Sequence, residues 1–182
     1  MQPLSPSQLR QSLINATRSE RVAMVLPKDF DQLDWDHLDV LGWRDPREAQ
    51  RGYLISERET GPVGILLRAP DSVPRTPSAV CALCRSNHSA GQVLLFTARR
   101  AGQAGRDGNT VGTYICADLR CIDHVEHEVR AALARQRVSP DPAVPLPDPG
   151  ELRLTRRRDL REQADQFIDH VRVRTIRPVG QA

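Results

Sequence analysis

Cys81-Ala82-Leu83-Cys84 and, with 31 residues between, Cys116-Ala117-Asp118-Leu119-Arg120-Cys121 hold every cysteine of the chain. Two thiolates separated by a tight turn grip one edge of a metal tetrahedron, and a second such pair completes it. One Zn2+ held by Cys81, Cys84, Cys116 and Cys121 is the reading that gives all four a role. Three others compete with it. A redox pair at Cys81 and Cys84 needs a strand–helix–strand setting and leaves the second pair unexplained. Four buried structural thiols would make the spacing a coincidence. An imidazole, from His88 or His124, in place of one thiolate would give a three-plus-one site.

The flanking residues set the cysteines on local structure. Val93-Leu94-Leu95-Phe96 and Thr110 to Ile115 read as strands, joined by the glycine-rich loop AGQAGRDGN. From about Asp118 the period becomes helical, with Cys121, Ile122, Val125, Val129 and Leu133 on one face. The first pair then sits on a knuckle before a hairpin, Cys116 at the hairpin's end, and Cys121 in the first turn of a helix. That is the arrangement of a treble-clef zinc finger, and the helix N-terminus favours its thiolate charge. An all-thiolate shell leaves no open position for water or substrate, so the predicted zinc is structural.

Catalytic signatures are missing from the sequence. His124-Val125-Glu126 matches the H-x-E half of a zinc-deaminase signature, but here C-x-x-C comes first and lacks the preceding proline. Neither H-E-x-x-H, nor G-x-S-x-G, nor a phosphate loop occurs. Gly102, Gly105 and Gly108 fit a flexible hairpin tip better than a dinucleotide fingerprint. The expectation is a binding protein, not an enzyme, with no small-molecule substrate.

Outward from the finger, residues 7–26 and 31–42 read as helices, with Trp35 and Trp43 as core anchors and GWRDP as a turn. Tyr53–Ser56 and Val63–Leu67 flank a Gly-Pro turn and read as a hairpin. Residues 155–174 read as an amphipathic helix with the stripe Leu160, Ala164, Phe167, Ile168 and Val171. With 4% aromatic residues, 14 Pro and 11 Gly, the chain argues against one large core. The expected class is α+β. An N-terminal α+β domain (1–69), a Pro/Ser-rich linker (70–78) and the finger (79–137) come first. A Pro-rich linker (138–150) and an Arg-rich C-terminal helix (151–182) follow.

No apolar run of 18 or more residues exists, and the N-terminus lacks an apolar core with a cleavage site. The chain is expected in the cytoplasm, off membranes, where thiols stay reduced. Its formal net charge of +3 includes a single lysine, Lys28, and sits in the finger and the C-terminal segment. Four thiolates around one Zn2+ remove two charges from the finger, which weakens the case for nucleic acid there. RNA contact, the alternative function, is better sought on Arg156, Arg157, Arg158 and Arg161 of the last helix.

Cys81-Ala-Leu-Cys84, Gly112-Thr-Tyr-Ile-Cys116-Ala-Asp-Leu-Arg-Cys121 and the helix after them resemble the treble-clef finger of elongation factor G-binding proteins, the FusB type. The resemblance covers roughly residues 79–136. It implies a translation-associated protein that binds elongation factor G and promotes its release from the ribosome, as in fusidic acid resistance. Aromatic and basic residues near the hairpin would make the contact: Tyr114 first, with Phe96, Arg99 and Arg100 in the same region. The hairpin at 52–68 and the last helix depart from the family pattern as the resemblance presents it, since the resistance proteins carry a helical bundle ahead of the finger.

Overall fold

The computed structural model describes residues 1–72, 78–89, 91–138 and 148–172. The helix expected over 7–26 is two short ones, α1 (Pro6–Ser12) and α2 (Arg18–Ala23). Each begins at a capping box: Ser5 with Gln8, and Thr17 with Glu20. Between them Leu13 turns extended and bridges Gly64 in parallel. The Asn15 side chain accepts from the Leu66 N–H and donates to the carbonyls of Leu66 and Arg99. A helix start signal inside an apolar periodic run is invisible to periodicity alone.

Residues 31–42 are likewise not a helix. Single 3-10 turns at Phe30–Gln32 and Trp35–His37 lead into strand β1 (Val40–Arg44). Leu41 and Trp43 face one side of the sheet and Val40 the other, the period of a strand. The turn expected at Gly42 moves to Asp45, whose carboxylate accepts from the N–H groups of Arg47 and Glu48. The expected hairpin forms as β2 (Arg51–Arg58) and β3 (Gly61–Arg68).

The cysteine-bearing half begins with the short strands β4 (Ser78–Val80) and β5 (Asn87–Ser89). Strand β6 (Val93–Arg99), helix α3 (Gly102–Arg106) and strand β7 (Thr110–Cys116) follow, so the glycine-rich tip contains a helical turn. Helices α4 (Cys121–Val138) and α5 (Pro149–Arg172) end the described chain. Strands β1-β2-β3-β6-β7 make one antiparallel sheet, with β3 joined to β6 at Arg68 and Thr97. Residues 70–78, expected to divide two domains, therefore lie between strands of one sheet. Residues 73–77 and 139–147 of the two expected linkers fall outside the described residues, as do 173–182.

Both faces of β1–β3 are covered. On one, Leu41, Trp43, Tyr53, Ile55 and Leu66 join Leu4, Leu9, Leu13 and Met24 of the N-terminal segment. On the other, Val40, Leu54, Val63, Ile65 and Leu67 share a core with finger residues such as Phe96, Ile115 and Leu119. The same core takes in Leu160, Ala164, Phe167, Ile168 and Val171 of α5, the stripe expected from sequence. The expectation of small separate cores is thereby corrected: the apolar face of α5 has the sheet and α4 to bury against. Its polar side is tied down as well. Arg58 reaches Asp165 and Asp169, Arg157 pairs with Asp39, and Arg153 pairs with Glu126.

Candidate metal centre

The knuckle closes on itself through backbone bonds from the Arg85 N–H to the Cys81 carbonyl and from the Cys81 N–H to the Ser86 carbonyl. Arg85 takes a left-handed φ of 61° to make this turn. The second pair is shaped in the same way. The Leu119 N–H bonds the Cys116 carbonyl, Leu119 has φ 62°, and Cys121 opens α4. Each such non-glycine residue costs about 1–3 kcal/mol and persists only where the surroundings over-determine it. A bound metal with four fixed ligands supplies that constraint.

The four thiols converge and are buried, between 0 and 7% exposed. The Cys81 and Cys121 sulfurs lie 3.7 Å apart and those of Cys84 and Cys116 3.5 Å apart, with all four within 4.8 Å of one another. Zn–S bonds of about 2.3 Å in a tetrahedron require sulfurs roughly 3.8 Å apart, whereas a disulfide needs about 2.05 Å. The cysteines are free thiols set as a zinc shell. Hydrogen bonds from Cys116 and then Cys121 hold the Cys81 and Cys84 thiols below their ordinary pKa. Sharing with Cys116 and Cys81, together with burial, pushes Cys121 up. The thiols share their protons, so zinc capture releases those that remain on the cluster.

The imidazoles stand outside this shell. His88 Nε2 approaches the Cys116 sulfur at 3.4 Å, and its ring meets that of His124 edge-on at 4.6 Å between centroids. His124 Nε2 lies 3.0 Å from the Asp118 carboxylate, and His127 is exposed. Neither His88 nor His124 replaces a thiolate.

The metal loop also anchors the finger to the sheet. Leu119 is buried against β1 and β2, where a Cβ on Gly42 would come within 2.3 Å of the Leu119 carbonyl oxygen. One on Gly52 would come within 2.4 Å of the Leu119 side chain. Glycine at both positions is what lets the loop approach so closely. Arg44 adds a crosslink: its guanidinium lies 5.2 Å over the Phe96 ring and donates to the Ala117 carbonyl at 3.0 Å.

The residues expected to meet a partner divide. Tyr114 is 50% exposed and stands directly across the hairpin from Leu95, itself 39% exposed. Phe96 is fully buried and cannot offer its ring to a partner; strand alternation turns Leu95 outward instead. Leu94, Phe96 and Ala98 fall on the buried face, so the residue between the first two, Leu95, is the one that alternation turns outward. Arg99 pairs with Glu20 of α2, and Arg100 donates to the His170 carbonyl of α5. Both arginines tie the hairpin to the rest of the chain.

Knuckle, hairpin and helix around four converging thiolates define a treble-clef zinc-finger protein with one structural Zn2+. The model of the FBP C-terminal treble-clef zinc-finger family matches residues 8–171, and the chain belongs to that family. The match takes in β1–β3 and α5, so the hairpin at 52–68 and the last helix are parts of the family's domain, not departures from it. Neither the curated proteins nor the solved structures offer a match. Among the described residues, no helix is long and apolar enough to cross a membrane.

Proposed function

We propose that this chain is a cytoplasmic binding protein for elongation factor G that acts on the translating ribosome without catalysing a reaction. One observation carries the reading. Inside the matched family domain, the outer face of β6–β7 presents Tyr114 and Leu95 as an exposed cross-strand pair on a hairpin held by zinc. An exposed tyrosine on a rigid strand contributes large contact area at small conformational-entropy cost, the character of a binding hot spot. Binding a conformation of the factor that is incompatible with ribosome attachment shifts the equilibrium toward release, as in fusidic acid resistance. RNA contact through the last helix has less support. Arg157 is engaged with Asp39, and Arg161 donates to the Glu57 carbonyl.

Titration of purified elongation factor G into the zinc-loaded chain tests the proposal. Micromolar or tighter binding is expected, weakened at least tenfold by Tyr114→Ala and by Leu95→Ser. The partner assignment fails if the wild-type chain shows no binding at that concentration.

A further inference from the structure

Four sulfurs this deeply buried raise the question of how the ion reaches them. We propose that His88, His124 and the Cys116 thiolate form a second, weaker Zn2+ site on the rim of the finger, through which zinc passes to and from the buried shell. Ligand atoms of these three residues lie within 4.8 Å of one another. The 3.4 Å between His88 Nε2 and the Cys116 sulfur is the separation that two ligands of one tetrahedral zinc would have, given Zn–N near 2.0 Å and Zn–S near 2.3 Å.

The setting favours an ion in transit. Both imidazoles are half-buried, whereas Cys116 is fully buried, so the trio leads from solvent to one ligand of the shell. Asp118 lies 3.0 Å from His124 Nε2, the carboxylate support that metal-bound histidines carry in their outer shell. Three protein ligands leave a coordination position open, so the rim site exchanges ligands more readily than the closed shell. The loaded four-thiolate centre carries a formal charge of −2, which attracts a second cation to its edge. Sharing Cys116 lets an ion pass inward without losing all its protein ligands.

The inference rests on zinc binding and not on the elongation factor assignment, so the two fail separately. Zn2+ added to the fully zinc-loaded chain, against a chromophoric chelator, should reveal a second equivalent bound at least a hundredfold more weakly than the first. His88→Ala and His124→Ala should each abolish that equivalent while the first is kept. The double variant should also pass zinc to the chelator at least tenfold more slowly, with its circular dichroism unchanged. A single equivalent in the wild-type chain overturns the proposal. So does an unchanged transfer rate in the double variant. Loss of the first equivalent in either variant also overturns it, by placing the histidine in the buried shell.

Discussion

Removing zinc should unfold the sheet as well as the finger. A structural zinc of this kind contributes on the order of 10–16 kcal/mol at neutral pH, against a total domain stability of about 5–15 kcal/mol. The finger places Leu83, Val93, Leu94, Phe96, Ile115, Leu119 and Val125 in the core that covers one face of β1–β3. At about 1.5–3 kcal/mol for each buried large apolar side chain, losing them removes roughly 10–20 kcal/mol, an upper bound. Either figure exceeds what the sheet can spare. The chain reports this directly, because both tryptophans, Trp35 and Trp43, lie outside the finger. Trp43 is buried, bonded to the Val25 carbonyl and stacked on Tyr53 at 4.8 Å. Stripping zinc with a chelator should shift tryptophan emission to the red in step with loss of helical circular dichroism. Cys84→Ser should show the same coupled loss. Native tryptophan emission persisting while helicity falls would refute the reasoning, because the sheet would then stand without the finger.

Gly42→Ala should destabilise the zinc-loaded chain by about 1–3 kcal/mol, since its Cβ would meet the Leu119 carbonyl oxygen; the urea midpoint measures it. Phe167→Ala should cost about 3–5 kcal/mol in the same assay, because α5 is part of the core; a change below about 0.5 kcal/mol would show the helix to be peripheral. Burial works against ionisation of Glu20, but the Thr17 N–H and hydroxyl and the Arg99 guanidinium outweigh it and hold the carboxyl below its ordinary pKa. A depressed folded-state pKa gives stability that is present above the unfolded value and lost as pH falls through the folded one. Glu20→Gln should therefore cost stability at neutral pH, and the difference from wild type should shrink below about pH 4.

The metal centre was legible because zinc imposes ligand type and spacing on the sequence itself. Two cysteine pairs, a hairpin and a helix leave few alternatives, and the α5 stripe likewise showed its whole buried face. What escaped was set at a distance. Val40–Arg44 is a strand because β2 lies beside it and Leu119, far along the chain, rests on Gly42; no local pattern carries that information. The break at Leu13 depends on Gly64 and on Asn15 reaching Leu66 and Arg99. Phe96 and Leu95 exchange roles because a strand turns its side chains by two, and an apolar run of four conceals which ones face outward.

The contact between α5 and the sheet has a consequence for the order in which the chain is made. The face of β1–β3 that carries Leu54, Ile65 and Leu67 is covered partly by Phe167, so about 100 further residues leave the ribosome before that cover arrives. At roughly 5–20 residues per second the wait is on the order of 5–20 s. The last zinc ligand, Cys121, emerges well before Phe167. Metal capture can therefore be the first committed step of assembly, giving the nascent sheet a preformed wall while its final helix is still being synthesised. A message cut short ahead of α5 would yield a chain able to hold zinc while one side of its sheet lay open to other nascent proteins.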